Sequence, residues 1–232
     1  MVDIDVDNLI IKANSQTTLS AGISITDQTN YAGTASINGS LKAKNISIDG
    51  GTFGIRSNRN IDGSQTTTFN LTADNNLAVS GGRNAILLDN QKGSGNVLNV
   101  DAANATFTGG DEGVLSKNST ASIKADNLTV SGDNSALDFD KDSSLTLANK
   151  TDSQTANTTL NGNVTIAGKA TFTNQDIHQT AGTFHVSTLD ATNSKLTFNT
   201  TEKDGVKVET LNGDLKLEAG ASVTEKLGSA EK

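Results

Sequence analysis

The chain has 232 residues, no cysteine, no proline and a formal net charge of −8. That balance disfavours nucleic acid and anionic membrane surfaces as partners, since phosphate binding needs clustered Lys and Arg; the missing cysteine excludes disulfides, a thiolate nucleophile and a Cys-based zinc site. Aromatic residues are 3% and apolar residues 34% of the chain, lean for a globular enzyme but enough for a narrow core that buries each repeat on its neighbours.

Residues 2–44 open in strand pattern: Val2/Ile4/Val6, Leu9/Ile11, Ile23/Ile25 and Leu41/Ala43 alternate with other, mostly polar, residues. Asp3, Asp5 and Asp7 alternate with the first apolar set and read as a solvated row in preference to a Ca²⁺ site. Met1-Val2-Asp3 does not begin a signal peptide, and the chain reads as a piece of a longer protein with Met1 added. No apolar run approaches the length of a membrane span.

From Asn45 one phrase recurs without gaps: Asn45–Ile55 (NISIDGGTFGI), Asn76–Ile86 (NLAVSGGRNAI), Asn104–Val114 (NATFTGGDEGV) and Asn127–Leu137 (NLTVSGDNSAL). Its glycines Gly50, Gly81, Gly109 and Gly132 lie 31, 28 and 23 residues apart, a period that means stacked repeats. Ile46/Ile48, Leu77/Val79, Ala105/Phe107 and Leu128/Val130 alternate as in a strand with one face buried. The glycine then marks a corner, needing either a positive φ or a tight approach. A small residue follows (Gly54, Ala85, Gly113, Ala136), then a second inward residue (Ile55, Ile86, Val114, Leu137). Antiparallel hairpins repeat at roughly 8–12 residues, too short for this spacing. The expected fold is all-β, a right-handed, single-stranded parallel β-helix (a β-solenoid) covering residues 1–224, with 225–232 a frayed polar tail. Stacking predicts either an amide ladder through Asn45, Asn76, Asn104 and Asn127 or asparagines that simply tolerate a turn.

The residues that lengthen the period fall at 56–68 and 89–96, and insertions at one shared place project from one side of a solenoid. Arg56, Arg59 and Arg83 are the only arginines, and they read as either a chance surface grouping or a contact for an anionic group. Candidate binding residues are Arg56, Asn58, Arg59, Arg83, Asp89 and Lys92. Further on, Asp138–Asp142 has the opening spacing of a calcium loop, but Ser143 and Asn149 stand where that loop needs Gly and Glu. Beyond residue 150 the repeat loosens into shorter coils, with Asn163–Gly168 keeping its first half. His178 and His185 cannot supply a catalytic zinc, and no nucleophile motif or phosphate loop is present. Sequons such as Asn70-Leu-Thr arise by chance in a chain this rich in Asn, Ser and Thr. No catalytic residue, metal or cofactor is expected.

The N-φ-x-φ-x-G repeat (φ an apolar or small residue), the Ser, Thr and Asn on its outward positions, the missing Cys and Pro and the acidic balance resemble the β-helical passenger of a bacterial autotransporter (type V secretion) adhesin. They are less similar to two-partner-secretion adhesins of the filamentous haemagglutinin kind. The resemblance implies display outside a Gram-negative cell, attached to the outer membrane through a C-terminal barrel, and a role in adhesion, self-association and biofilm formation. Its implied partners are a host surface protein or glycan, or identical molecules on neighbouring cells. A passive stalk for a separate tip domain and a polysaccharide-active β-helix enzyme are the alternatives.

Overall fold

The computed structural model describes residues 5–13, 20–26, 37–59, 66–90, 95–151, 154–199, 205–219 and 226–227. Among these the chain is all strand and turn. The strands are β1 (Asp5–Lys12), β2 (Ala21–Thr26), β3 (Ile37–Asp49), β4 (Phe53–Arg59), β5 (Thr67–Gly81), β6 (Asn84–Asn90), β7 (Asn96–Gly109), β8 (Glu112–Lys117), β9 (Thr120–Phe139), β10 (Ser144–Ala148), β11 (Ala156–Thr173), β12 (Gln175–Ala181), β13 (Phe184–Phe198), β14 (Val206–Ala219) and β15 (Lys226–Leu227). Every pairing between them is parallel, as a parallel β-solenoid requires.

Each coil runs through three faces. The first is built from 37–43, 67–73, 96–102 and 120–125 in successive coils, and the second from 45–49, 76–81, 104–109 and 127–131. The third is built from β4, β6, β8 and the end of β9. Long strands such as β3 and β5 therefore serve two faces, bending where their registers shift at Ala43/Asn45 and Ala73/Asn76. Coil one is β1 and β2, coil two β3 and β4, coil three β5 and β6, coil four β7 and β8, and coil five β9. Coil six is β10 with the first half of β11, and the later coils follow in order through β15.

The core is a set of columns in which like stands over like. Ile46, Leu77, Ala105 and Leu128 form one, Ile48, Val79, Phe107 and Val130 a second, and Ile55, Ile86, Val114 and Leu137 a third, all at most 3% exposed. Burying each larger side chain contributes about 1.5–3 kcal/mol, and the stack turns that into a core without a globular centre.

Three features differ from the sequence reading. The first face beyond Leu41/Ala43 has no counterpart in the sequence reading, because Leu71/Ala73, Val100/Ala102 and Ile123/Ala125 alternate without a fixed Asn or Gly to mark them. The expected insertions are shorter, since 56–59 continue β4, 67–68 begin β5, 89–90 end β6 and Asn96 begins β7. There the inward positions continue through Ser57 and Leu88, buried at 3% and 2% exposure, so a polar residue on the core side hid the strand. Third, none of the four repeat glycines has a positive φ; the tight approach alone requires them. A Cβ would stand 1.4 Å from Phe53 O at Gly50, 2.1 Å from Asn84 O at Gly81, 1.8 Å from Glu112 O at Gly109 and 2.1 Å from Ser135 O at Gly132. Of the tail at 225–232, only Lys226 and Leu227 are among the described residues, and Val2, Asp3 and Ile4 lie outside them.

Candidate functional site

The corner between the first and second faces carries a continuous row of side-chain amides. Asn45 Nδ2 donates to Asn8 Oδ1 at 2.9 Å, Asn76 to Asn45 at 2.9 Å, Asn104 to Asn76 at 3.1 Å, Asn127 to Asn104 at 2.9 Å and Asn157 to Asn127 at 3.3 Å. All donate in the same direction, so the amide dipoles align along the stack. Asn8 and Asn157 extend the row beyond the four clear repeats. The repeat's first half, expected at Asn163–Gly168, falls here instead, since 163–166 pair with the third face; the signal for Asn157 is Gly162 five residues on, the repeat's own spacing, with Thr158 and Leu160 inward between them.

Outward from this row the second face is flat and nearly uncharged. Ser47, Ala78, Thr106, Thr129 and Thr159 form one line across coils two to six, and Asp49, Ser80, Thr108, Ser131 and Asn161 form the next. Together with Asn45, Asn76, Asn104, Asn127 and Asn157, these positions hold a single ionisable group, Asp49.

The third face receives most of the binding residues expected from sequence. Arg56 and Asn58 lie on β4, in register with Leu87 and Asp89 of β6. The Arg56 guanidinium sits 5.3 Å from the centre of the Phe53 ring, a cation–π contact on the outer side of the coil. Arg56 Nε and Asp89 Oδ1 are buried without a hydrogen-bond partner. Arg83 stands apart at the corner entering this face, where its Nε is 3.5 Å from Asp111 Oδ2. Of the two readings of the arginines, chance grouping or contact for an anionic group, Arg83 thus meets an anion within the chain itself. Arg59 pairs through its backbone with Asn90, and Lys92 lies outside the described residues.

Two carboxylates on the same face have surroundings that sequence reading does not show, Asp138 having entered only as the first residue of a calcium-like spacing. Glu112 accepts a 2.7 Å hydrogen bond from Asn84 Nδ2, and Asp138 stands one coil on, in register with Leu115. Burial, then the neighbouring Asp111, raises the Glu112 carboxyl above its ordinary range; burial raises Asp138 too, with Asp140 adding to it and Lys117 opposing it. A carboxyl whose folded pKa is raised contributes stability that is fully present below its unfolded pKa and lost as pH rises through the folded one. Coils four and five should therefore exchange their amide hydrogens with greater protection, after correction for intrinsic rates, as pH falls from 7 toward the ordinary carboxylate range. Glu112→Gln should flatten most of that dependence and protect these coils at pH 7. An unchanged profile would remove Glu112 as its source.

The remaining polar clusters are structural. Asp140 accepts from Asn118 N at 3.0 Å, Asp142 N at 3.2 Å and Ser143 Oγ at 2.7 Å, so the calcium-like spacing of Asp138–Asp142 serves a turn. A buried seam runs along the corner between the third and first faces: Ser57 donates to Asn96 at 2.9 Å, Asn96 N to Ser119 Oγ at 3.3 Å and Ser119 N to Ser143 Oγ at 3.1 Å. His178 faces outward on the second face and His185 on the third, so the fold does not bring them together. Among the described residues no group of His, Cys, Asp and Glu is arranged to hold a metal ion, and no helix could cross a membrane. Compared with known proteins, the chain has no significant match to a family model, a curated protein or a solved structure.

Proposed function

We propose that this chain is part of a surface-displayed, non-enzymatic adhesin of the autotransporter-passenger kind, joining surfaces or copies of itself through its second face. The observation that carries this reading is the scarcity of charge there. In a chain of net charge −8, that face repeats amide and hydroxyl groups over coils two to six, interrupted by Ala78, with Asp49 as the one ionisable group of its three outward lines. Another copy can approach it without the like-charge repulsion the rest of the molecule would impose. Hydrogen bonds of about 0.5–1.5 kcal/mol each, repeated at one spacing, gain strength with the length of the overlap. The third-face residues Arg56, Asn58 and Asp89 supply a second, charged contact suited to a host protein or glycan. Placement outside a Gram-negative cell follows from the same resemblance.

Beads coated with the chain should aggregate, and soluble chain should compete. Thr106→Glu together with Thr129→Glu sets two carboxylates in the middle of the face and should abolish aggregation while the far-ultraviolet β signal stays unchanged. Wild-type beads that neither aggregate nor bind host cells would leave the passive stalk as the reading.

A further inference from the structure

Coils of a solenoid touch only their neighbours, so such a stack can open one interface at a time. Residues 149–151 depart from that rule. Leaving β10 in coil six, they turn back along the corner between the first and second faces. Lys150 Nζ donates to the carbonyl of Ala73 at 3.1 Å, a residue of coil three. The same ammonium lies 2.9 Å from Asp101 Oδ1 in coil four, an ion-pair contact without hydrogen-bond alignment. Thr151 donates from its backbone N–H and its Oγ1 to the two carboxylate oxygens of Asp126 in coil five, at 2.8 and 2.9 Å. Asn149, only 6% exposed, fixes the turn by donating from Nδ2 to the carbonyls of Thr151 and Gln154.

The chemistry suits a tie. The turn brings the backbone of Thr151 to the level of coil five; from there a lysine stem covers about one further strand spacing of roughly 4.8 Å, and its ammonium can donate to a carbonyl and still face a carboxylate. With its side chain 26% exposed, the pair is shielded from salt better than an open surface pair. We propose that residues 149–151 form an axial strap that makes coils three to six open as one cooperative unit. Those coils carry Asn76, Asn104, Asn127 and Asn157, so the strap also keeps four rungs of the amide row in register. The inference does not depend on what that row binds.

Hydrogen exchange of the full chain, resolved by peptide, separates this from ordinary nearest-neighbour opening. Lys150→Met keeps the stem and removes the charge; Asp101→Asn weakens the same contact from the other side. Both should speed exchange in 67–73 and 96–102 by about fivefold, the scale of one net hydrogen bond, and leave 184–198 at the wild-type rate. Acceleration confined to 144–151, or spread evenly along the whole chain, would overturn the proposal.

Discussion

Gly109→Ala should lower stability by about 3 kcal/mol or more, although it adds a single methyl group at a position with ordinary backbone angles. The new Cβ would meet three backbone atoms: Glu112 O at 1.8 Å, Glu112 C at 2.6 Å and Arg83 O at 2.8 Å. A side chain in the way could rotate, but these atoms belong to the corner itself. Arg83 O also accepts from Asp111 N at 2.8 Å and Glu112 N at 3.1 Å. Moving the corner to admit the methyl therefore pulls β8 away from β6 and breaks the bonds that start the third face. Thermal unfolding followed by circular dichroism should show a fall in Tm of roughly 6–12 °C. Thr108→Ala, one residue earlier and exposed, should shift stability by no more than about 0.5 kcal/mol. A Gly109→Ala loss below about 1 kcal/mol would mean the corner yields, and the close-approach account of all four glycines would fail.

The same residue shows why part of the architecture was legible before any coordinates. A stacked fold repeats its constraints, and a constraint that admits one residue type leaves a visible period. The corner admits only glycine at Gly50, Gly81, Gly109 and Gly132, and the amide row favours asparagine at Asn45, Asn76, Asn104 and Asn127. The first face has no such demand. At Leu71, Val100 and Ile123 any aliphatic of fitting size will do, so nothing in the sequence marks its period. The third face was legible to Ile55 and Ile86, then lost where Ser57 took an inward place and paid for its burial with a bond to Asn96. The burial of Glu112 and Asp138 was hidden for another reason. It comes from the stacking of coils, which sets Asn84 against Glu112 across 28 residues and Leu115 beside Asp138 across 23, and nothing local in sequence distinguishes a half-covered carboxylate from a solvated one.

Phe107→Ala should cost about 3–5 kcal/mol, and the reason lies in how the core divides its volume. Phe107 is fully buried, with Val79 below and Val130 above it in the column. Beside it in the same coil stands Ala105, where the neighbouring coils have Leu77 and Leu128. Each coil thus fills one cross-section, by Leu with Val in coils three and five and by Ala with Phe in coil four. Removing the ring leaves two alanines side by side, and neither valine is long enough to close the gap. Ala105→Leu alone should overfill the section and cost about 1–3 kcal/mol. Ala105→Leu with Phe107→Val copies the pattern of the adjacent coils and should return to within about 1.5 kcal/mol of the parent. Denaturant titrations of Ala105→Leu, Phe107→Val and the double variant measure the coupling, expected to be stabilising and of order 1–3 kcal/mol. Strictly additive losses would show that the columns pack independently. In that case the repeat would conserve residue identity along each column and not the volume of each coil.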